Sequence, residues 1–318
     1  MATTDSQNPQ LAFLCSGQGS QKPGMGQDLL TIPEVATTFE CASDVFGRDI
    51  AALCRAETPE EAEALNDTRN AQAAIATLSI GIGRALMARG VVPGSLVGFS
   101  LGQVSALALS GMLTDEQAFE LIAERSRIMG EVADANPGCM SALLKGTPEE
   151  VEAACAEAAQ GDVLAPANYN SPAQVVVAGT VAAIERVEAA WKDAGKRASR
   201  LATSGAFHSP LMQDAREPFD NYLQTVKFQE PAITVICNTD AAPLDASTVR
   251  QRLVEHLTNP VRFQQSIELL ENRGVNAFVE VGFGGVLANL VKRCAPEAAR
   301  LCVQDHATFD ECVETYAS

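Results

Sequence analysis

The chain has 318 residues, 47% of them hydrophobic, which is enough for one large core or for a large domain with a small one. Its formal net charge of −17 argues against nucleic acid and anionic membranes as partners of the surface as a whole, because like charges repel. An acidic partner would therefore need a local basic patch.

The cysteines and the first residues bear on the cellular compartment. Nine cysteines are widely spaced and form no Cys-x-x-Cys pair, so neither a zinc site nor a redox motif is indicated. Their odd number suits a reducing compartment, and we expect a cytoplasmic protein. Residues 1–10 are polar and lack the apolar core of a signal peptide. No apolar run approaches about 18 residues, so we expect no membrane span.

Short apolar runs and helical patterns alternate along most of the chain. The apolar runs predict buried strands at residues 11–15, 95–99, 233–237, 277–281 and 301–304. Helical patterns cover residues 59–65, 72–87, 102–112, 115–132 and 266–272, and Thr114 with Gln117 predicts a capping box at the start of the fourth. The alternation predicts an α/β fold with a mostly parallel sheet flanked by helices.

The middle of the chain has a different order of elements. Strand patterns at residues 140–144, 163–167, 174–178 and 199–202 are interleaved with helical patterns at 148–159 and 181–194. This β-α-β-β-α-β order is ferredoxin-like. We therefore expect a small inserted α+β subdomain over residues 134–203 and a large discontinuous α/β catalytic domain made of residues 1–133 and 204–318.

The most informative motif is Gly98-Phe99-Ser100-Leu101-Gly102. A Gly-x-Ser-x-Gly pentapeptide also arises by chance in loops rich in glycine and serine. Here it follows an apolar strand pattern and precedes a helical one, the setting of the nucleophile elbow in a hydrolase-like core. A serine at such a turn can attack an acyl group when a base and an oxyanion site lie near it.

A base for Ser100 is most readily supplied by a histidine, and the chain has three. His208 lies in a segment of small residues where the inserted subdomain should rejoin the main domain, and we favour it. His256 falls in a helical pattern and His306 stands beside Asp305 near the end of the chain. A structural role remains open for all three.

Two glycine-rich turns follow predicted strands. Residues 17–21, GQGSQ, lack the Lys-Ser/Thr of a phosphate-binding loop and do not match GxGxxG, and residues 282–285, GFGG, are a similarly weak nucleotide motif. Both fit tight turns. The first also fits a loop whose backbone N–H groups face an oxyanion.

Taken together, the motifs resemble those of the malonyl-CoA:acyl carrier protein transacylases, the acyltransferases of fatty acid synthesis. The resemblance runs from Leu11 to about Arg293. Its markers occur in the family's order: GQGSQ at 17–21, GFSLGQ at 98–103, ERSRIM at 124–129, NYNSPAQVVVAG at 168–179, GAFHSPLM at 205–212, NPVRF at 259–263 and GFGGVLANLVKR at 282–293.

The resemblance implies roles for the central residues. Ser100 would carry malonate as an ester, and His208 would take its proton and later activate the incoming thiol. The backbone N–H groups of Leu101 and Gln18 would hold the oxyanion, and losing one such donor typically costs roughly 100- to 1000-fold in turnover. A main-chain carbonyl orients the histidine in this family, and His256 occupies the matching position.

The resemblance also implies an acyl pocket. Arg125 matches the family's substrate arginine, and a guanidinium can hold the free carboxylate of malonate through two parallel hydrogen bonds. An ordinary surface arginine paired with Glu124 or Glu131 is the alternative. Met129 lies one helical turn beyond Arg125. Phe207 matches members that prefer malonyl to methylmalonyl, although it could equally be core filler, and Asn170 would shape the pocket wall.

The implied partners are malonyl-CoA as substrate and an acidic acyl carrier protein, with no bound cofactor, no metal and a monomeric chain. Two basic clusters could dock the carrier. Lys196 and Arg197, with Lys192 and Arg200, form the first, and the second comprises Lys292, Arg293 and Arg300. Solvated helix faces are an equally good explanation of both.

Three positions depart from the commonest family pattern: Phe99 replaces a histidine, Gln103 replaces a glutamate, and Cys15-Ser16 replaces Phe-Pro. None removes the proposed base. The leading hypothesis is ping-pong transfer of malonyl from CoA to the carrier thiol. The alternatives are a hydrolase, in which water replaces the thiol, and a non-catalytic carrier-binding module.

Overall fold

The computed structural model describes residues 10–203 and 205–317. The expected lack of a signal peptide rests on residues 1–10, and all of these except residue 10 lie outside this part. So does residue 204, the expected start of the second part of the large domain.

The larger sheet has five parallel strands in the order β7-β2-β1-β8-β9. Their bounds are Leu11–Cys15 for β1, Ser95–Gly98 for β2, Thr234–Ile236 for β7, Ala277–Val281 for β8 and Ala299–Val303 for β9. Both faces of β1 are covered, since Leu11, Phe13 and Cys15 belong to one apolar cluster and Ala12 and Leu14 to another. The predicted α/β class is therefore confirmed, with the fifth strand beginning two residues earlier than expected.

Thirteen α-helices lie within the described residues. They are α1 Pro33–Phe46, α2 Ile50–Arg55, α3 Pro59–Ala64, α4 Thr68–Ala88, α5 Gly102–Leu109, α6 Asp115–Ala135, α7 Pro148–Ala159, α8 Val181–Asp193, α9 Arg216–Leu223, α10 Val249–His256, α11 Phe263–Asn272, α12 Val286–Cys294 and α13 His306–Tyr316.

The predicted helices are present, with shifted ends. Helix α5 stops at Leu109 rather than at 112, because Gly111 turns the chain with a positive φ of 80°. Helix α6 starts with the predicted capping box of Thr114 and Gln117. Helix α1 was not predicted from the sequence, although a proline at its first position and a left-handed Gly47 at its end mark both limits.

Helix α4 is the central helix of the core. Among the described residues it alone is long and apolar enough to cross a membrane, yet 83% of its most apolar 18-residue window is buried inside the protein. It packs against α1 and α6. Its burial inside the protein is thus that of a core helix.

The smaller sheet is antiparallel, with strand order β4-β5-β3-β6. Its strands are β3 Cys139–Leu144, β4 Leu164–Ser171, β5 Gln174–Gly179 and β6 Arg197–Arg200, and α7 and α8 complete the β-α-β-β-α-β order. Strand β4 is longer than predicted and β6 begins two residues earlier. This confirms the predicted ferredoxin-like arrangement.

Two backbone hydrogen bonds join the smaller sheet to the segment that follows α10. Tyr169 donates its N–H to the Val261 carbonyl at 2.9 Å, and Val261 donates to Ala167 at 2.9 Å. This bridge brings the end of β4 beside the segment that follows α10, so residues of both parts of the chain share one cavity.

Candidate active site

Ser100 stands at the apex of the turn between β2 and α5, with a left-handed φ of 53°. Such a φ is costly for a residue with a side chain and is held by its surroundings. The flanking glycines permit the turn. A Cβ on Gly98 would lie 2.0 Å from the Gln103 nitrogen, and one on Gly102 would lie 2.0 Å from the Cys15 carbonyl oxygen.

Asn238 braces this turn from the end of β7. Its Oδ1 accepts the Ser100 N–H at 2.8 Å, and its Nδ2 donates to the Gly98 carbonyl at 2.7 Å. The Asn238 N–H in turn donates to Oε1 of Gln103 at 2.7 Å. Gln103 thus supplies an acceptor oxygen at this position without a charge. Sequence reasoning missed Asn238, because 138 positions separate it from Ser100.

His208 lies within hydrogen-bonding reach of the serine. Its Nε2 is 2.7 Å from Ser100 Oγ, and its Nδ1 is 2.7 Å from the His256 carbonyl oxygen. Because a carbonyl only accepts, Nδ1 carries the proton and Nε2 presents its lone pair to the hydroxyl. Burial, followed by the positive charge of Arg125, lowers the pKa of His208 to about 4. The imidazole is therefore neutral at pH 7, and its Nε2 lone pair is available to accept the serine proton.

The ring of His256 also contacts His208. The two rings are stacked with centroids 4.7 Å apart and an interplanar angle of 27°. Burial, followed by the neighbouring His208 and Arg125, lowers the pKa of His256 well below its ordinary value. The third histidine, His306, contacts Thr31 at 2.7 Å and does not line the cavity.

Arg125 reaches into the site from α6. It is 3% exposed, donates from Nη1 to Gln72 Oε1 at 2.6 Å, and places Nη2 3.4 Å from Ser100 Oγ. No carboxylate of the described chain pairs with it. Burial lowers its pKa to about 10, so it stays charged at neutral pH. Two residues on, Arg127 pairs instead with Glu124 and Glu131 on the surface.

A hydrogen-bonded chain links Arg125 to the loop after β1. Gln72 Nε2 donates to Thr68 Oγ1 at 3.0 Å, and Thr68 Oγ1 donates to Gln18 Oε1 at 2.9 Å. Sequence reasoning missed Gln72 and Thr68. Their position one turn apart at the start of α4 was the only available signal.

Two backbone N–H groups are available beside the serine. Within residues 10–203 and 205–317, neither the Leu101 N–H nor the Gln18 N–H has a hydrogen-bond acceptor. Both residues line a cavity of about 400 Å³ together with Ser100, Arg125 and His208. This arrangement is that of a nucleophile and its base beside free donors, the requirements of acyl chemistry.

The residues predicted for the acyl pocket line the same cavity. Met129 and Phe207 are buried, and Asn170 presents an Oδ1 that has no partner within the described chain. Phe99, which replaces the family histidine, packs edge-on against Phe263 with centroids 5.6 Å apart. It gives this wall of the cavity an apolar character.

The two basic clusters differ in their relation to the cavity. Lys196 pairs with Glu150 at 2.8 Å and lies over the Trp191 ring. Arg197 is exposed at the start of β6, and the nearest cavity residue along the chain is Leu201, just after that strand. Arg293 instead donates to Gln174 Oε1 at 2.7 Å, and Gln174 lines the cavity. Arg293 of the second cluster therefore lies beside the cavity, whereas Arg300 donates to the Pro296 and Ala298 carbonyls.

No group of three or more histidine, cysteine or acidic side chains in the described part of the chain is placed to hold a metal ion. Around the serine the cavity brings together the charged Arg125 guanidinium, the neutral His208 imidazole, the Ser100 hydroxyl and two free amide donors. This donor set is chemically suited to an anionic acyl substrate.

A serine held on a strand–turn–helix elbow, with a histidine base and free N–H donors, defines an acyl-transferring enzyme. The chain belongs to the acyl transferase domain family, whose model matches residues 12–308. The predicted family resemblance is confirmed by this match and by the relatives below.

The chain is similar to malonyl CoA-acyl carrier protein transacylases. It is 37% identical to that of Haemophilus influenzae, over 94% of this chain and 96% of that protein, and 38% identical to that of Escherichia coli, over 89% and 92%. Among solved structures, the Xanthomonas oryzae enzyme matches with a TM-score of 0.93 at 35% identity, covering 98% of this chain and 100% of that one. A malonyl-transacylase in complex with a type II PKS acyl-carrier protein matches with a TM-score of 0.92 at 37% identity, covering 96% and 99%.

Proposed function

We propose that this chain is an [acyl-carrier-protein] S-malonyltransferase, which moves malonyl from malonyl-CoA to the phosphopantetheine thiol of an acyl carrier protein. The observation that carries the proposal is the buried, charged Arg125 with no carboxylate partner in the described chain, 3.4 Å from Ser100 Oγ. A buried cation without a counter-ion is costly. A substrate carboxylate supplies the missing charge in the position where the acyl group must bind.

The first half-reaction acylates the serine. Ser100 Oγ attacks the thioester carbonyl carbon while His208 Nε2 accepts the hydroxyl proton. The Leu101 and Gln18 N–H groups stabilise the tetrahedral oxyanion. Collapse breaks the carbon–sulfur bond, the imidazolium returns its proton to the leaving CoA thiolate, and malonyl-Ser100 remains. The His256 carbonyl accepts from Nδ1 throughout and stabilises the imidazolium as it forms.

The second half-reaction runs the same steps in reverse order. CoA leaves, the carrier's thiol enters the cavity, and His208 Nε2 takes the thiol proton. The thiolate attacks the ester carbonyl, and the oxyanion again accepts hydrogen bonds from the two N–H groups. The bond to Ser100 Oγ then breaks as the serine regains its proton. Because both thiols need the same position, a ping-pong order follows.

The pocket walls give this site its acyl preference. Met129, Phe207 and Asn170 would surround the α-carbon of malonate, with the Phe207 ring crowding an added methyl group. The unpartnered Asn170 Oδ1 is an acceptor that fits an N–H or O–H donor of the pantetheine rather than the substrate carboxylate.

The carrier would dock on basic residues at the cavity. The second cluster, Lys292, Arg293 and Arg300, is favoured by the Arg293–Gln174 contact beside the cavity. Lys196 and Arg197 would make a peripheral contribution, since Lys196 already pairs with Glu150. A structural relative in complex with a type II PKS acyl-carrier protein supports a carrier as the partner.

The remaining parts of the proposal concern organisation. Residues 1–133 with 204–318 would form the catalytic domain and residues 134–203 the small subdomain. We propose a cytoplasmic monomer without a bound cofactor. The division is supported by the two sheets, whose strands come from these two parts of the chain.

Mass spectrometry after mixing with malonyl-CoA tests the function. A malonyl adduct (about 86 Da) on Ser100, discharged by the thiol of a holo-carrier protein, is expected from acyl transfer to the serine hydroxyl. Free malonate produced at the same rate with and without carrier would identify a hydrolase instead. No adduct and no product would leave only a carrier-binding module. Ser100→Ala is the matched control for adduct position.

A further inference from the structure

Glu280 is a fully buried acidic residue in the wall of the catalytic cavity, and the proposed reaction does not use it. It lies on β8, where its backbone is in register with Leu14 of β1 on one side and Cys302 of β9 on the other. A buried carboxyl group needs hydrogen-bond donors, and their identity indicates its role.

The two carboxyl oxygens of Glu280 bind two different segments. Oε1 accepts the Ser16 hydroxyl at 3.0 Å, and Oε2 accepts the Ala288 backbone N–H at 2.9 Å. Ala288 is the third residue of α12, so one oxygen is held by the amino end of that helix. The other oxygen is thereby aimed at the loop after β1.

Ser16 is the first residue after β1 and lies two residues before Gln18. It is fully buried, and a Cβ on Gly282 would lie 2.0 Å from its hydroxyl oxygen. The hydroxyl therefore sits against the backbone of residue 282 and donates to Glu280. Proline, which is common in the family at this position, could not make this bond.

We propose that Glu280 is a positioning residue for acyl transfer, which holds the loop bearing the Gln18 N–H in place through the Ser16 hydroxyl. The inference rests on the proposed function, because it assigns that N–H to the oxyanion. An N–H that must lie about 3 Å from a developing charge is sensitive to small shifts of its loop.

The two hydrogen bonds that Glu280 accepts, from Ser16 and Ala288, form a clamp whose strength depends on the charge state of Glu280. Burial raises its pKa to about 7, against the lowering effect of the α12 N–H groups and of Ser16. The titratable side chain facing it from β9 is Cys302, whose pKa is raised to about 12 by burial and then by Glu280 itself. Strand β1 presents Leu14 and the Ser16 hydroxyl, α12 presents N–H groups, and α4, which also contacts β8, carries Ser79 near Gly282.

Only the ionised carboxylate accepts both hydrogen bonds with full strength. A proton on Oε2 would compete with the Ala288 N–H, and a proton on Oε1 would force the Ser16 hydroxyl to turn and accept. The clamp is therefore strongest above pH 7 and weakens as the pH falls through that value.

The test measures the rate constant and the amplitude of the CoA burst on mixing with malonyl-CoA, from pH 5.5 to 8.5. In the unaltered protein the rate constant should rise about 3- to 10-fold across pH 7, a fraction of the loss expected for a missing oxyanion donor. The amplitude, which counts active sites, should stay constant.

Two variants locate the effect. Glu280→Gln should give the low-pH rate constant at every pH, because it cannot ionise. Ser16→Ala should also give a flat, reduced rate constant, although Glu280 can still titrate. Ser266→Ala, which removes a buried hydroxyl bonded to the Arg262 carbonyl in α11, is the matched control and should retain the pH step.

A pH step that persists unchanged in Ser16→Ala would overturn the proposal, since the effect would then not pass through the hydroxyl. Reduced amplitudes with unaltered rate constants would also overturn it, because they indicate a purely structural role. If Glu280→Gln fails to fold, Ser16→Ala decides alone. Failure of the proposed function is distinguishable, because the unaltered protein would then form no malonyl adduct at all.

Discussion

The Arg125 guanidinium lies 3.4 Å from the Ser100 hydroxyl, and its other terminal nitrogen is held by Gln72 Oε1 at 2.6 Å. The side-chain amide of Gln72 orients the guanidinium without neutralising it. A cation prepared in this way, beside a nucleophile and without a carboxylate partner in the described chain, can select an acyl group by its distal charge.

Replacing that cation should change the preference among thioester substrates rather than abolish all activity. In Arg125→Ala we expect kcat/KM for malonyl-CoA to fall by about 1000-fold, because a charge-assisted bidentate contact of about 4 kcal/mol is lost. Acetyl-CoA, which has no carboxylate, should lose far less. Burst kinetics with both thioesters measure the ratio. Equal losses would show that Arg125 supports the fold and not the carboxylate.

The pKa of His208, lowered to about 4 by burial and by Arg125, sets the acid limit of acylation. Since the base must be neutral, kcat/KM for malonyl-CoA should stay level at pH 5, below the few-fold step that Glu280 gives near pH 7, and should fall tenfold per pH unit below about pH 4. A free histidine would already lose activity below its ordinary value near 6.5. Single-turnover rates across pH 3.5–7 provide the measurement.

The same argument predicts different acid limits for the two half-reactions. When malonate is bound, its carboxylate offsets the Arg125 charge, so the His208 pKa should rise in the acyl-enzyme. Deacylation by the carrier thiol should then lose activity at higher pH than acylation does. Coincident limits would show that Arg125 does not influence the base.

Asn238 should be essential to the nucleophile turn. Asn238→Ala leaves the Ser100 N–H and the Gly98 carbonyl without their partners, and each loss costs about 1–3 kcal/mol. We expect Tm to fall by about 4–10 °C and the acylation rate to fall with it. Thermal melts and burst kinetics measure both, with the exposed Asn221→Ala as control. An unchanged Tm would contradict the proposed brace.

Phe207 should govern the choice between malonyl and methylmalonyl. Its ring is buried against the cavity, and Phe207→Ala should improve methylmalonyl relative to malonyl by about 1–3 kcal/mol, or roughly 5- to 150-fold. Competition between the two thioesters, read by adduct mass, measures this. If both adducts decline in parallel, Phe207 is core filler.

Charge reversal separates the two basic clusters. Lys292→Glu with Arg293→Glu should raise the KM for the carrier about tenfold and leave malonyl-CoA burst kinetics unaltered, because electrostatic attraction governs the encounter of the two proteins. Lys196→Glu with Arg197→Glu should have the smaller effect. Raised ionic strength should reduce the difference. Equal damage to both substrates would argue against docking at either cluster.

Much of this protein is determined by local sequence patterns. Apolar runs of four or five residues predicted all five parallel strands, because strands buried on both faces read as continuous apolar runs. The element order of residues 140–200 predicted the ferredoxin-like sheet. The Gly98-x-Ser100-x-Gly102 spacing predicted the elbow, since only glycine fits where the backbones approach so closely. Ordered motifs along the chain predicted the family, which is confirmed.

Only the tertiary structure decided which distant groups meet. Asn238 carries no sequence signal of its role, and Gln72 and Thr68 show only that they lie one helical turn apart, because the partners of the three lie 138, 53 and 50 positions away. Likewise, a run of basic residues in the sequence does not reveal that Lys196 is already paired with Glu150 or that Arg293 lies beside the cavity. Local patterns encode the elements, whereas hydrogen bonds and charge balance across the cavity depend on how those elements pack.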